Sequence, residues 1–341
     1  MSEKHGLPAV VIRCDAGPQT GFGHLMRSSA LASYLRDSFD CRIFCRNGEP
    51  SAEGYVDRII TESGATRLRP GLPADASMQA WNEAFIRFLS KDTVAVLDNY
   101  YFDTAYMERV RRASRALAVV DDMPTRQFAC DVFFTPSPRE KSDFDFVYDT
   151  EFYGGVDRAF LREPFLKPAN TRTGHDIRRI VVALGGADPF RLTDMIAEIA
   201  SQLIPGVETD VIAGPSAEVR TPEGDKFRVH RRVDADMIAR LLDEADFGIM
   251  PASTSSVEAM ARRLPTAVGW YVDNQVHFYR KGVENGWFAA LGNLRDNPEK
   301  IKERLGKILK SYAPESVPDF DFASKRIETV SIFRRLWNRQ R

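Results

Sequence analysis

The sequence has no apolar run that approaches the length needed to cross a bilayer, and its first residues lack the apolar core of a secretory signal. It also has no excess of either charge, since 47 Lys and Arg residues stand against 48 Asp and Glu residues. A balanced charge gives no electrostatic reason to expect nucleic-acid binding. These absences predict a cytoplasmic protein with no membrane span and no nucleic-acid partner.

Cysteine is scarce, and the residues that bind metals do not cluster. The four cysteines lie in apolar, strand-like segments, which indicates core thiols in a reducing compartment. Cys41 and Cys45 would lie roughly 13 Å apart along one strand, too far to share a zinc ion easily. The pair Asp121-Asp122 has no third ligand at suitable spacing, so we favour loop capping there. A P-loop motif is also missing, so we do not expect a P-loop kinase or ATPase. Because no ligand cluster is evident, we expect no metal, and we expect no other cofactor.

A strand-turn-helix pattern begins twice in this chain, whose 341 residues are enough for two domains. The first series starts with the apolar residues 9–12. The second starts at 179–183, after a stretch rich in Lys, Pro, Asn, Thr and Gly within 166–176. Two helices, near 298–309 and 322–337, close the chain. The alternation predicts an α/β fold with parallel sheets and a domain boundary within 166–176, with ligand loops after the strands.

The segment Gly21-Phe22-Gly23-His24 joins the first strand to a helix-like stretch that ends near residue 36. Gly21 and Gly23 allow a sharp turn and a close approach of a ligand to the backbone. His24 is predicted at the helix N-terminus, where the dipole disfavours imidazolium and keeps a lone pair free to accept a proton from water. The alternative is a histidine that only caps the helix or hydrogen-bonds within the loop.

Two turns in the second half predict anion binding. Gly185-Gly186 and the Ser-Thr-Ser-Ser run at 253–256 both lie between a strand and a helix, where amides and hydroxyls suit a diphosphate. Ordinary capping is the alternative, although four consecutive hydroxyls exceed what one cap requires. Glu258, one turn into the second helix, is placed to accept hydrogen bonds from ribose hydroxyls.

Five motifs occur in order along residues 10–275, and together they resemble a known family. They are Arg13-Cys14-Asp15 with Gly21-Phe22-Gly23-His24-Leu25-Met26-Arg27, then Leu97-Asp98-Asn99-Tyr100, Arg158-Ala159-Phe160-Leu161-Arg162, Gly185-Gly186-Ala187-Asp188 and Asp273-Asn274-Gln275. The chain resembles the UDP-2,4-diacetamido-2,4,6-trideoxy-β-L-altropyranose hydrolases of pseudaminic acid biosynthesis. The resemblance implies a GT-B-like fold, with two Rossmann-like domains whose parallel sheets face a cleft. The N-terminal domain would comprise residues 1–168, and the C-terminal, nucleotide-binding domain would comprise residues 176–318. A last helix at 319–341 would cross back to the N-terminal domain.

The resemblance also implies a reaction. Water would replace UDP at the anomeric carbon of a UDP-activated 2,4-diacetamido-2,4,6-trideoxyhexose, with inversion and without a metal. UDP and the free sugar, a precursor of nonulosonic (pseudaminic) acid, would be released. The family's active-site histidine corresponds to His24 and its active-site tyrosine to Tyr100. The expected substrate-binding residues are Arg13, Gly21, Gly23, Arg27, Asn99, Gly185, Gly186, Asp188, Ser253, Ser255, Ser256, Glu258, Asn274 and Gln275.

One position departs from the family pattern. Asn99 stands where the family often has His, and an amide cannot act as an acid or a base. If this position shapes the sugar pocket, the substrate is a related 2,4-diamino sugar nucleotide.

A single base is enough for this reaction, because UDP leaves readily once amides and hydroxyls stabilise its charge. We expect His24 to be that base and Asp15 to fix its tautomer. One alternative function is a glycosyltransferase that uses the same base with an acceptor hydroxyl in place of water. Another is a nucleotide-sugar-binding protein without catalysis. The chain is expected to be monomeric.

Overall fold

The computed structural model describes residues 6–17, 20–48, 50–73, 75–169, 176–186, 188, 190–214, 217–220, 227–311 and 317–339. The chain divides into two compact units, Met1–Arg162 with Asp321–Arg341, and Glu163–Phe320. We call them unit 1 and unit 2. Residues 170–175 of the predicted linker lie outside the described residues, as do Ala187 and Pro189 of the glycine loop. The boundary within 166–176 therefore stays a prediction.

Unit 1 is built on a seven-stranded parallel sheet with the order β3-β2-β1-β4-β5-β7-β9. Strands β6 and β8 form a separate parallel pair. The strands are β1 (Ala9–Ala16), β2 (Asp40–Asn47), β3 (Thr66–Arg67), β4 (Thr93–Asp98), β5 (Ala116–Val120), β6 (Gln127–Phe128), β7 (Val132–Thr135), β8 (Asp145–Phe146) and β9 (Glu151–Gly154). The first four helices are α1 (Gly23–Leu35), α2 (Glu53–Glu62), α3 (Met78–Ile86) and α4 (Thr104–Ala113).

Strand β1 occupies the middle of the unit 1 sheet, and every one of its residues is buried. It pairs with β2 on one side and with β4 on the other. Because strand order reverses direction beside β1, the carboxyl ends of β1 and β4 form a topological switch point, where α/β proteins commonly bind ligands. Helix α1 follows β1 and is buried except at Gly23 and Met26, since its serines and alanines allow close packing.

Unit 2 has a six-stranded parallel sheet with the order β12-β11-β10-β13-β14-β15. Its switch point lies between β10 and β13. The strands are β10 (Arg179–Val182), β11 (Glu208–Ala213), β12 (Phe227–Arg231), β13 (Phe247–Pro251), β14 (Thr266–Trp270) and β15 (Ala289–Asn293). The helices are α5 (Leu192–Leu203), α6 (Ala235–Glu244), α7 (Thr254–Ala261), α8 (Val276–Glu284) and α9 (Pro298–Lys310).

The last helix, α10 (Phe322–Asn338), belongs to unit 1 although it follows unit 2 in the chain. Its Phe333 is fully buried and packs against Phe39 and Phe134, with ring centroids 6.4 and 6.2 Å away. Arg158 donates to Glu328 of α10 at 2.8 Å. Apolar packing and this ion pair thus attach α10 to the strands and helices of unit 1.

The prediction that the cysteines are core residues is confirmed, because all four are buried. Among the described helices, none combines the length and the apolar character that crossing a membrane requires.

Candidate functional site

In unit 1, His24 lies at the switch point, because the β1–α1 loop turns sharply. Gly17 and Gly21 form an antiparallel bridge, and Gly21 has a φ of +68°, a conformation that glycine adopts without strain. Helix α1 begins at Gly23, and no side chain caps its N-terminus. His24 is therefore in the first turn of the helix, as predicted, and it is buried.

His24 meets the carboxylate that ends the neighbouring strand β4. Its Nδ1 lies 2.7 Å from Asp98 Oδ1. Arg27 Nε donates to Asp98 at 2.8 and 2.9 Å, and Ser28 Oγ donates at 2.9 Å. Burial acts to raise the pKa of Asp98, but the charge of Arg27 and the hydrogen bonds from His24 and Arg27 outweigh it and hold this pKa below its ordinary value. Asp98 is therefore ionised at neutral pH.

The tautomer of His24 follows from this contact. Arg27 Nη2 also lies near Nδ1, at 3.0 Å, but a ring nitrogen has one in-plane direction for either a proton or a lone pair. The contact with the carboxylate is shorter, and Arg27 Nη2 already donates to Asp98. We therefore place the proton on Nδ1 and the lone pair on Nε2, the arrangement that a general base requires.

The prediction that Asp15 orients His24 is wrong. Asp15 accepts hydrogen bonds from Arg13, from Arg46 Nε at 3.0 Å and from the Tyr101 hydroxyl at 2.6 Å. Sequence reasoning chose the aspartate nearest in the chain, whereas sheet order brings Asp98 to His24. Arg27, predicted to bind substrate, is likewise engaged with Asp98 and positions it.

Arg13 is a core residue, which corrects its assignment to the substrate. Its side chain is fully buried, and the guanidinium lies 5.2 Å from the ring centre of Phe44 and 5.7 Å from that of Phe102. It donates to the Cys14 carbonyl at 2.6 Å and to Tyr101 at 3.0 Å. Burial acts to lower the pKa of Arg13, but Asp15 raises it above the ordinary value overall. Arg13 therefore stays charged and supports Asp15.

Tyr100 stands edge-on to His24, with ring centroids 4.7 Å apart and an angle of 71°. Burial, followed by the nearby Asp122 carboxylate, raises the pKa of its phenol well above the ordinary value. Tyr100 stays protonated and can donate a hydrogen bond, but it cannot act as a base at neutral pH. Its predicted place beside the base agrees with this geometry, and its role stays a prediction.

Asp121, the first residue of the acidic pair after β5, caps its loop, as predicted. Asp121 is fully buried, pairs with Arg126 and accepts from the Met123 amide at 2.8 Å. Burial raises the pKa of Asp121 to about 7. Within the described residues, no group of three or more His, Cys, Asp or Glu side chains is placed to hold a metal ion. Sequence reasoning gave no binding role to Asp122, whose Oδ1 is buried without a hydrogen-bond partner.

In unit 2, the glycine loop after β10 packs closely on the end of β11. Gly185 has a φ of +97°, and a Cβ placed on Gly214 would lie 2.3 Å from the Gly186 carbonyl oxygen. Only glycine fits at position 214, a requirement that the sequence analysis missed. Tyr271, which follows β14, donates its hydroxyl to the Leu184 carbonyl at 3.0 Å. These contacts hold the backbone of Gly185 and Gly186 at the carboxyl edge of the sheet.

The expectation that the helix after Gly185-Gly186 binds an anion is wrong. Helix α5 begins at Leu192, and Asp188 accepts from the amides of Leu192 and Thr193, both at 2.9 Å. The Thr193 hydroxyl donates to the same carboxylate at 2.6 Å. Asp188 thus fills the N-terminus of α5 with its own negative charge and is a capping residue, not a substrate contact.

Of the four hydroxyl residues at the start of α7, two form hydrogen bonds that cap the helix and two do not. Ser253 caps the helix and accepts from the Ser255 amide at 3.4 Å, while Ser256 completes a capping box and is fully buried. The assignment of Ser256 to the substrate is therefore corrected. The side chains of Thr254 and Ser255 are half-buried, and the described part of the chain records no hydrogen bond for either hydroxyl. Glu258 is buried in the same helix.

The Asp273-Asn274-Gln275 motif forms a short 3-10 helix before α8. Gln275 is buried, and its Oε1 accepts from the Tyr271 amide at 2.9 Å. Asn274 is exposed to solvent and free to contact a ligand. The motif thus contributes one structural residue and one surface residue.

No family model matches the chain. It is 21% identical to an uncharacterised protein of Methanocaldococcus jannaschii over 279 residues, and this alignment covers 76% of the present chain and 55% of the relative. It is 24% identical over 279 residues to the UDP-2,4-diacetamido-2,4,6-trideoxy-beta-L-altropyranose hydrolase of Campylobacter jejuni, covering 78% and 93%. It is 22% identical over 290 residues to the lipid-A-disaccharide synthase of Pasteurella multocida, covering 82% and 65%. The chain therefore spans less than two thirds of the length of two of these relatives.

Solved structures resemble the chain over nearly its whole length. CalG4, the calicheamicin glycosyltransferase, superposes with a TM-score of 0.60 at 13% identity, covering 97% of this chain and 98% of CalG4. Anabaena HepE, solved in complex with UDP and glucose, has a TM-score of 0.58 at 11% identity, covering 95% and 99%. Such low identities show the fold alone. Together with the two parallel sheets, they confirm the predicted fold class: the chain has the GT-B fold.

Proposed function

We propose that this chain is a metal-independent UDP-sugar hydrolase that uses His24 as its general base. The observation that carries the proposal is the 2.7 Å contact between His24 Nδ1 and the ionised Asp98, which leaves the lone pair on Nε2. A water molecule within reach of Nε2 would give its proton to His24 as its oxygen attacks the anomeric carbon. The bond from that carbon to the phosphate oxygen breaks, and UDP leaves with the electron pair.

The leaving group is assigned to unit 2. The unused hydroxyls of Thr254 and Ser255, at the N-terminus of α7, suit the negative charge that grows on the diphosphate. The amides of Gly185 and Gly186 at the same carboxyl edge are further donors of the kind that a diphosphate accepts. We keep Glu258 as the ribose contact and Asn274 as a sugar contact.

The named relatives support a nucleotide-sugar enzyme. The Campylobacter jejuni relative is named as a UDP-2,4-diacetamido-2,4,6-trideoxy-beta-L-altropyranose hydrolase, and this chain spans 93% of it. The structurally similar HepE was solved with UDP and glucose. From these we infer a UDP-activated 2,4-diacetamido-2,4,6-trideoxyhexose as substrate and the free sugar as product, a precursor of pseudaminic acid.

A glycosyltransferase is the second candidate, because the relative from Pasteurella multocida is named as a synthase of lipid-A disaccharide and CalG4 is named as a glycosyltransferase. The same base would then activate an acceptor hydroxyl. To distinguish the hydrolase from the glycosyltransferase, the proposed substrate is incubated with the protein in ¹⁸O-labelled water, with and without an acceptor, and UDP release is measured. Hydrolysis places ¹⁸O on the sugar and none on UDP, and it proceeds without an acceptor. UDP release that requires an added acceptor alcohol would favour the transferase.

A further inference from the structure

Several buried polar atoms have no hydrogen-bond partner in the described part of the chain, and two of them belong to residues just after β4 and β5 at the carboxyl edge of unit 1. One is the donor Nδ2 of Asn99, and the other is the acceptor Oδ1 of Asp122. Asn99 is only 3% exposed. Buried polar atoms in folded proteins are nearly always paired, so each unpaired one needs an explanation, such as a ligand that completes it.

The orientation of the Asn99 amide is determined by its neighbours. Its Oδ1 accepts from the Tyr100 amide at 2.8 Å, a bond that the reversed orientation would lose. Its backbone carbonyl accepts from Arg126 Nη2 at 3.2 Å. The nitrogen is therefore the open end of this side chain.

The Asp122 side chain forms no ion pair among the described residues. Arg27, whose charge interacts with Asp122, pairs with Asp98, and Arg126 pairs with the neighbouring Asp121. Arg139 donates to the backbone carbonyl of Asp122 at 3.0 Å, not to its side chain. An ionised carboxylate only accepts hydrogen bonds, so Asp122 offers an acceptor and a negative charge to whatever binds beside it.

Both residues lie in loops that adjoin His24. Strands β4 and β5 are paired in register, Asp98 opposite Val120, so the residues that follow each strand stay close together. Arg126 bridges the two loops by binding Asn99 and Asp121. Tyr100 lies beside Asp122 on one side and touches the His24 ring on the other.

We propose that Asn99 and Asp122 bind the sugar of the substrate and select a neutral sugar over one that carries a carboxylate. The inference rests on the proposed function, in which His24 acts at the sugar. Sugar hydroxyls and secondary amides can supply an acceptor to Asn99 Nδ2 and a donor to Asp122 Oδ1, the two atoms without a partner. The carboxylate of a uronic acid supplies no donor and meets the like charge of Asp122.

UDP-glucose and UDP-glucuronate form a matched pair of probes, because they differ only at C6. We expect calorimetry to show that the wild type binds UDP-glucose about tenfold more tightly than UDP-glucuronate, since like charges brought together weaken binding. Asp122→Asn should bring this ratio close to one, and its affinity for UDP alone should not change. Asn99→Asp adds a second negative charge and should increase the ratio, the opposite direction to Asp122→Asn.

Asp149→Asn is the control, because Asp149 is a fully exposed carboxylate of unit 1 that pairs only loosely with Lys141, at 3.6 Å. It should keep the wild-type ratio. A wild type that binds UDP-glucose and UDP-glucuronate equally would overturn the selection of neutral sugars but leave the UDP-sugar function standing. A wild type that binds no UDP would overturn the proposed function and this inference together. Thermal melting confirms folding, and Asn99→Asp gives an independent result if Asp122→Asn does not fold.

Discussion

His24 Nδ1 lies 2.7 Å from Asp98 Oδ1, a carboxylate 74 residues further along the chain. Asp98 ends strand β4, and β4 pairs directly with β1, whose loop carries His24. Arg27 and Ser28, one turn further along α1, bind the same carboxylate and hold it in place. The candidate base is therefore positioned by residues of β4 and α1, all of them within unit 1.

Replacing His24 by Ala should lower kcat by about 10²- to 10⁴-fold, because a positioned base contributes about that much to rate. The affinity for UDP should change little, since its proposed contacts lie in unit 2. Asn at position 24 should not restore activity, because an amide cannot take a proton. His230→Ala is the matched control, since His230 also lies 2.7 Å from an aspartate, Asp210, but on β12 of unit 2. Substantial turnover in His24→Ala would move the base elsewhere.

Asp98→Asn should reduce kcat and also destabilise the fold. Arg27 would be left buried without its countercharge, and breaking a buried ion pair in this way costs about 3–5 kcal/mol. Chemical denaturation measures this loss, and steady-state kinetics measure the fall in kcat. Asp15→Asn should destabilise without acting through His24, because Asp15 contacts Arg13, Arg46 and Tyr101. If Asp15→Asn lowered kcat as much as Asp98→Asn did for the same loss of stability, the result would argue against an orienting role for Asp98.

We expect some of the hydroxyls at the start of α7 to affect UDP binding and others to affect the stability of the fold. The double variant Thr254→Ala, Ser255→Ala should weaken UDP binding in calorimetry and leave stability nearly unchanged, because neither hydroxyl has a partner in the described structure. Ser256→Ala should instead lower the free energy of unfolding by about 1 kcal/mol, the usual effect of losing a cap, since Ser256 completes the capping box. If only Ser256→Ala reduced UDP affinity, the diphosphate would not lie at Thr254 and Ser255.

The buried Asp121 predicts a pH-dependent stability. Its pKa is raised to about 7 by burial, whereas an unfolded aspartate titrates near 3.9. Between these values the folded chain binds more protons than the unfolded chain, so the contribution of Asp121 to the free energy of unfolding falls as pH rises from about 4 to about 7. Asp121→Asn removes this pH-dependent contribution to the free energy of unfolding. The stability of the variant relative to the wild type should therefore increase over that range, and a difference independent of pH would contradict the assignment.

Metal removal tests the proposed mechanism. We expect EDTA to leave UDP release unchanged, because the described residues contain no cluster suited to a metal and the proposed mechanism assigns the chemistry to His24 and α7. Activity lost with EDTA and restored by magnesium would direct attention to Asp121 and Asp122.

Much of the local structure could be predicted from the sequence. Helices were expected near 298–309 and 322–337, and they span Pro298–Lys310 and Phe322–Asn338. Apolar runs predicted the buried strands, and the glycines before His24 predicted a turn into a helix. These features depend on residues close together in the chain, through side-chain periodicity and the backbone freedom of glycine.

The partners of the functional side chains were decided by tertiary structure. From the sequence, Asp15 was the aspartate assigned to His24, yet the sheet order β2-β1-β4 brings Asp98 there and turns Asp15 toward Arg46. Asp188 resembled a ligand contact until the structure showed it capping α5. A residue's type and its local pattern determine what it can donate or accept, but only the arrangement of the strands brings distant atoms within hydrogen-bond distance.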